Sequence, residues 1–123
     1  MTTAIATDTL QERSQKAAGL FLDDHGYSVI EDDWSPHSGA GCIAEHEDTL
    51  VFIQILSRES NDGELPEELP AKKSRLSFER AAAKYLMKAN RPSMPVRFDI
   101  ISLLFIGKNQ ALLRHHKDAL SSI

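Results

Sequence analysis

The stretch VFIQIL, residues 51–56, is apolar at all but one position, and it sets the strongest limit on the fold of this chain. Side chains of a β-strand point alternately to two faces, so both faces of this stretch are apolar. Strands of this kind are typical of the interior of a sheet that is covered on both sides. The exception is Gln54, an amide that requires hydrogen-bond partners or a function if it is buried.

The other elements follow from periodicity and turn signals. Helical spacing of apolar residues predicts a helix over residues 9–25, which begins with a capping box of Thr9 and Glu12 and ends at Gly26. Further elements are predicted as follows: strands over 27–33, 41–46, 49–57, 96–107 and 111–116, and a helix over 71–90. The order α-β-β-β-α-β-β requires a crossover connection, so we expect an α/β domain with a mixed sheet of about five strands.

Length and composition predict a single domain. The 123 residues are 41% hydrophobic and 26% charged, as is typical of soluble globular proteins. We expect a flexible N-terminus over residues 1–8, one domain over 9–123, and a mobile acidic loop over 59–70. No secretory signal or membrane-spanning run is recognisable, and the single cysteine, Cys42, lies in an apolar strand as a core residue would. These features predict a cytoplasmic protein.

Charge is divided unevenly along the chain. Residues 1–70 contain 3 basic and 15 acidic side chains, a net charge of −12, whereas residues 71–123 contain 11 basic and 3 acidic ones, a net charge of +8. Six basic residues lie on or near the second predicted helix: Lys72, Lys73, Arg75, Arg80, Lys84 and Lys88. The last three share one helix face and could contact nucleic-acid phosphates, although an ordinary solvated helix has the same pattern.

Four strings of the sequence, taken in order, resemble the YraN family of small bacterial proteins. The strings are FLDDHGYSVIEDDW, DTLVFIQILSR, KKSRLSFERAAAKYL and RFDII. The second and fourth correspond to the family's DTLVFVEVKTR and RFDVV. The family is similar in fold to the PD-(D/E)xK nucleases, which include Holliday junction resolvases. The resemblance covers nearly the whole chain and implies a restriction-endonuclease-like core of three layers.

Chemically, the resemblance implies cleavage of a phosphodiester by carboxylates that converge on Mg²⁺ or Mn²⁺. The acidic pair of the family's GEIDLIA falls on Gly39 and Gly41 of this sequence. The Glu and Lys of its EVK fall on Gln54 and Leu56, and a further Glu of its first helix falls on Gln15. All five positions are neutral here. The resemblance therefore implies a degenerate catalytic site, and we expect neither catalytic residues nor a metal cofactor.

Gln54 then has two interpretations. It resembles an isosteric remnant of a metal-binding glutamate, which keeps the size and one acceptor oxygen but loses the charge. Alternatively, it is a core amide that pairs with the backbone across the sheet, as buried amides usually do.

Other candidate sites are weaker. The nearest carboxylates to the neutral positions are Glu45, Glu47 and Asp48, and whether they replace the missing ligands stays open at this point. A zinc site is not favoured, because no histidine or cysteine pair has ligand spacing and the adjacent His115 and His116 would face opposite sides of a strand.

Three hypotheses about function result. The leading one is a catalytically inactive nuclease-fold protein that acts as an interaction module, with branched or single-stranded DNA as its first partner to test. The alternatives are a divergent metal-dependent DNA endonuclease with relocated ligands, and a protein–protein interaction module with no nucleic-acid role.

Asp99 of the RFDII string is interpreted as structural, paired with Arg97 or with a backbone group nearby.

Overall fold

A computed structural model of the chain describes residues 9–32, 34, 40–59, 72–90, 94–107 and 110–119, with only the backbone of residues 72–75. The elements of these residues, in chain order, are α1 Leu10–Asp24, β1 Ser28–Glu31, β2 Ala40–His46, β3 Thr49–Glu59, α2 Lys72–Lys88, β4 Val96–Ile106 and β5 Gln110–His116. This order confirms the predicted arrangement of two helices and five strands. The predicted N-terminus 1–8 and loop residues 60–70 lie outside the described part.

The strands form one sheet in the order β1-β2-β3-β4-β5. Neighbouring strands are antiparallel except β3 and β4, which run parallel from the pair Leu50 and Val96 to the pair Glu59 and Phe105. The parallel pair arises because α2 lies between β3 and β4 in the chain and returns it to the same end of the sheet. The predicted mixed sheet is confirmed, with residues 51–56 in its central strand.

Each face of the sheet has its own helix and its own hydrophobic cluster. On one face, Ala18 and Leu22 of α1 belong to a cluster with Ile53. On the other face, Phe78 of α2 belongs to a cluster with Phe52. Both residues of β3 are fully buried, so the alternation of this strand divides the core into two layers. The result is the predicted arrangement of a sheet between two helices.

Helix α1 begins and ends as the sequence predicts. The Thr9 hydroxyl accepts a hydrogen bond from the Glu12 N–H at 3.1 Å, and the Glu12 carboxylate accepts one from the Thr9 N–H at 2.8 Å. At the other end Gly26 has a φ of 83°, and the Tyr27 N–H donates to the Leu22 carbonyl at 2.9 Å. This is a Schellman motif, and it places the side chains of Tyr27 and Leu22 in the same hydrophobic cluster.

The hairpin of β2 and β3 turns at the predicted residues. Glu47 and Asp48 both have positive φ, 50° and 64°, as a type I′ turn requires. Hairpins favour this turn because its backbone twist matches that of the flanking strands. Most predicted bounds differ from the structure by one or two residues, and two of the differences have a clear physical meaning. The first strand is shorter than predicted because Tyr27 belongs to the end of α1, and β3 includes Glu59, which was predicted to begin the acidic loop.

Candidate neutral site at the β2–β3 hairpin

The described positions that match the nuclease motif lie at one end of the hairpin, on both faces of the sheet. Gln54 and Leu56 point to the face covered by α2, whereas Gln15 reaches the Gly41 backbone from α1. Gly41 of β2 lies directly opposite Gln54 of β3, and Leu56 follows on the same face of that strand. Gln15 of α1 makes hydrogen bonds to Gly41. We call these four residues the neutral constellation. The fifth position, Gly39, lies outside the described residues.

The Gln15 amide binds the backbone of β2 as a neighbouring strand would. Its Nε2 donates to the Gly41 carbonyl at 2.8 Å and to the Asp32 carbonyl at 2.5 Å, and its Oε1 accepts from the Gly41 N–H at 3.1 Å. The paired residues of β1 stop at Glu31, opposite Ile43, so Gly41 lies beyond the end of the β1 ladder. The amide therefore continues the ladder where β1 stops, and it ties α1 to β2.

A carboxylate at position 15 could not make the same contacts. The carbonyl oxygens of Gly41 and Asp32 accept hydrogen bonds from Nε2, and an ionised carboxylate has no hydrogen to donate. The oxygen in place of Nε2 would face two carbonyl dipoles, and a bound cation or a proton would have to offset their repulsion. The amide of Gln15 suits this environment without either.

Gln54 is only partly buried, although its strand lies in the centre of the sheet. It lines an open cavity of about 250 Å³ together with Gln11, Ala40, Leu56 and Ser57. Within the described part of the chain, no hydrogen bond joins its side chain to another residue. The backbone pairing across the sheet, one of the two interpretations of Gln54, is therefore not seen among the described residues.

The neutral constellation does not fit Mg²⁺ or Mn²⁺. These hard cations bind oxygen ligands and favour carboxylates, and Mg²⁺ gives up its water reluctantly. Here the Gln15 amide is already bonded to the backbone, Gly41 has no side chain, and Leu56 is aliphatic. Only Gln54 offers a free oxygen, without charge. Among the described residues, no group of three or more His, Cys, Asp or Glu side chains could hold a metal ion.

The carboxylates nearest in sequence lie at the opposite end of the hairpin. Glu45 is four residues from Gly41 along β2, or about 13 Å at the rise of a strand. Glu47 and Asp48 form the turn beyond it. Gly41 and Gln54 pair at the open end of the hairpin, away from this turn. The three carboxylates therefore do not converge on the neutral constellation.

Of the six basic residues predicted to contact DNA, the structure describes the side chains of Arg80, Lys84 and Lys88, which we call the basic row. Arg80, Lys84 and Lys88 are exposed, whereas Phe78 and Ala82 of the same helix are buried against the sheet. None of these three cations forms an ion pair with a residue that the structure describes. The side chains of the other three predicted residues lie outside the described part: Lys72, Lys73 and Arg75.

A second polar cluster lies on β4 and includes residues that the sequence did not point to. Asp99 is fully buried, and its carboxylate accepts hydrogen bonds from the Arg97 guanidinium at 2.8 and 2.9 Å and from the Asp118 N–H at 2.9 Å. The Nε2 of His115 lies 2.8 Å from the same carboxylate. Arg97 also donates to the Tyr27 hydroxyl at 2.7 Å. We call these five residues the Asp99 cluster.

The electrostatics of the Asp99 cluster favour an ionised carboxylate. Burial raises the pKa of Asp99, but hydrogen bonds with His115, Arg97 and the Asp118 backbone outweigh it and hold the pKa below its usual value. The hydrogen bond to Asp99 in turn raises the pKa of Arg97. The predicted pairing of Asp99 with Arg97 or with a backbone group is confirmed, since the carboxylate contacts both. No local pattern in the sequence indicates that His115 and Tyr27 join them.

Cys42 is buried in β2, with 3% of its surface exposed. Burial, with a smaller contribution from the charge of Asp32, raises the pKa of its thiol to about 12. The thiol is therefore protonated at neutral pH and cannot act as a nucleophile. The prediction of a core cysteine is confirmed.

Comparison with known proteins extends over the same elements. A sequence model of the uncharacterised protein family UPF0102 matches residues 14–103, from the residue before Gln15 to the interior of β4. A UPF0102 protein of Lawsonia intracellularis is 32% identical over 109 residues, which cover 87% of this chain and 81% of the relative. A UPF0102 protein of Bacteroides thetaiotaomicron is 35% identical over 104 residues, or 81% of each chain. One of Beutenbergia cavernae is 26% identical over 111 residues, covering 89% and 94%.

Proposed function

The chain belongs to UPF0102, the YraN family, and from this premise we propose that it is a catalytically inactive nuclease-fold protein that binds DNA as an interaction module. The neutral constellation carries the proposal. Four positions that match charged residues of the nuclease motif lie on adjacent segments of α1, β2 and β3, and all four are neutral: Gln15, Gly41, Gln54 and Leu56. The fold is retained, while the groups needed for phosphodiester cleavage are absent from these positions.

Inactivity follows from the chemistry of the reaction. Metal-dependent hydrolysis needs anionic ligands to hold the cation, which then lowers the pKa of the attacking water. Neither amide supplies a charge, and Leu56 replaces the lysine that the family motif would place beside the water. Asp32 contacts Gln15 through its backbone carbonyl, but no group of three or more described His, Cys, Asp or Glu side chains could hold a metal ion.

DNA binding is supported by the surface charge. The exposed cations Arg80, Lys84 and Lys88 lie along one side of α2, with no described acidic partner. The neutral constellation also lacks the carboxylates that would repel a phosphate in the absence of metal. Contact of this kind is independent of base sequence, so branched and single-stranded DNA are the substrates to compare with duplex.

Part of the proposal is a cytoplasmic location, where DNA is accessible and a thiol stays reduced. In the part of the chain that the structure describes, no helix is both long and apolar enough to span a bilayer.

Fluorescence anisotropy of labelled duplex, single-stranded and four-way-junction DNA in EDTA tests the proposal. Three phosphate contacts predict a slope of about −2.7 in log K against log salt, or about 40-fold weaker binding from ~50 to ~200 mM salt. The triple variant Arg80→Ala, Lys84→Ala, Lys88→Ala should lose most of this slope. Lys117→Ala, which removes an exposed cation outside α2, is the matched control.

Three results would overturn the proposal. Absence of binding at low salt, or binding that does not respond to salt, would exclude a phosphate-driven interaction. Capture of a protein partner that survives DNase treatment, together with absence of DNA binding, would favour a protein–protein module. Cleavage of labelled DNA that requires Mn²⁺ and stops in EDTA would identify a divergent nuclease.

A further inference from the structure

A groove of about 470 Å³ separates the outer side of α1 from the edge strand β1. Leu20 lines it from the helix with 71% of its surface exposed, and Val29 lines it from the strand with 36% exposed. Gly19 leaves a gap beside Leu20, since a Cβ placed on it would meet no atom within 4 Å. These residues form an apolar surface that the described part of the chain leaves uncovered.

Three charged residues line this surface: Asp32, which follows β1, and Lys16 and Asp23, which lie on one face of α1. Along α1, Lys16, Gly19, Leu20 and Asp23 have the i, i+3, i+4, i+7 spacing of one helix face, and all four line the groove. The cation stands at one end, the carboxylate at the other, and the midpoint falls between Gly19 and Leu20. When two copies of this face meet antiparallel about a twofold axis, Lys16 of each copy faces Asp23 of the other, and each Leu20 faces the gap at Gly19.

The edge strand completes the surface. β1 is the first strand of the sheet, so one side of its backbone has no neighbouring strand in the described sheet. Its sequence, SVIE, contains neither the proline nor the lysine by which natural edge strands resist pairing, and Val29 and Ile30 are both exposed.

We propose that the α1–β1 groove binds a second copy of this chain, in an isologous antiparallel dimer. Self-complementary charge selects this occupant. A partner of different sequence would need only an apolar side chain and a strand, whereas two copies of the same face pair both of their charges and fill both gaps. The proposed DNA contacts lie elsewhere, because Arg80, Lys84 and Lys88 are on α2, across the sheet from α1, although the groove shares Gln15 with the neutral constellation.

Sedimentation equilibrium of the full chain, over a wide range of protein concentration, measures the dimer directly. We expect a monomer–dimer equilibrium that Leu20→Asp weakens more than about 100-fold, since two leucine side chains lose their burial. Because Leu20 is exposed, its replacement should leave the circular dichroism spectrum and the melting temperature of the monomer unchanged. Leu112→Asp is the matched control, since Leu112 is 50% exposed on the opposite edge strand.

Charge exchange tests the antiparallel geometry. Lys16→Glu and Asp23→Lys should each weaken dimerisation about tenfold, because each creates two like-charge contacts. An equimolar mixture of the two variants should form heterodimers, since both contacts across the axis are again between opposite charges. The double variant should also dimerise. Lys16 has a contact within its own chain as well, and only restoration by the mixture separates the two effects.

Three results would overturn the dimer. A monomer at every concentration would exclude it, whatever the variants do. A dimer that is insensitive to Leu20→Asp, or a mixture of the charge variants that stays monomeric, would exclude this face and this geometry.

Discussion

The neutral constellation and the Asp99 cluster are both polar sites at the sheet, but they treat charge in opposite ways. Asp99 is completely buried and yet ionised, because Arg97 and His115 contact it from within the chain. The cavity beside Gln54 is lined by no Lys or Arg among the described residues. A carboxylate there would depend on a cation from solution. The comparison teaches that this chain keeps buried charge where it supplies its own counterions, and has neutral groups where it does not.

The largest effect on stability is expected when Asp99 loses its charge. Asp99→Asn should lower the free energy of unfolding by about 3 to 5 kcal/mol, because it leaves the Arg97 guanidinium partly buried without an anion. Urea denaturation measures the change. Asp24→Asn, an exposed change of the same chemistry outside the α1–β1 groove, should have little effect; equal losses in the two variants would contradict the role of the cluster.

At the other site, adding a charge should be the damaging change. Gln15→Glu should cost about 1 to 3 kcal/mol, because the carbonyls of Gly41 and Asp32 lose their donor. Thermal unfolding in EDTA and in Mn²⁺ measures it, with the exposed Gln110→Glu as control. Recovery of the lost stability by Mn²⁺ in Gln15→Glu alone would show that the site still accepts a metal ion.

Acid should reduce the difference between the two sites. The folded-state pKa of Asp99 lies below its usual value of 3.8, so its contribution is fully present above that pH and is lost as pH falls through the folded pKa. We therefore expect the stability gap between the wild type and Asp99→Asn to narrow below about pH 4. Urea unfolding at a series of pH values checks this, and a gap that stays constant down to pH ~2 would contradict it.

The smallest effect is expected at Gln54. Its side chain is partly exposed to an open cavity, so Gln54→Glu should change the free energy of unfolding by less than about 1 kcal/mol. Calorimetry with Mn²⁺ should detect no binding to this variant, because a single carboxylate does not make a site. A loss of stability as large as that of Gln15→Glu would mean that the cavity is more enclosed than its geometry indicates.

The fold could be predicted largely because its determinants are local. The capping box of Thr9 and Glu12, the turn at Glu47 and Asp48, and the alternation of residues 51–56 each involve neighbours in sequence. The prediction that the motif positions belong to one site came from the resemblance to the family. The register of the β2–β3 hairpin, which places Gly41 opposite Gln54, accounts for part of this arrangement.

Interactions between distant segments could not be predicted. Gln15 bonds to a residue 26 positions away, and the Tyr27 hydroxyl accepts from a residue 70 positions away. Neither contact leaves a periodic signal, because each depends on how α1 is placed against the sheet. The same holds for His115, which reaches Asp99 only through the pairing of β4 with β5.

The parallel pairing of β3 and β4 also affects the order in which the strands pair during folding. Leu50 pairs with Val96, 46 residues later, whereas β2 and β3 are joined by a two-residue turn. The hairpin can therefore form early, while closure of the long loop that brings in β4 is the slower step. On the ribosome, one edge of the central strand β3 stays open until β4 has been synthesised. That interval is when the nascent chain is most exposed to aggregation.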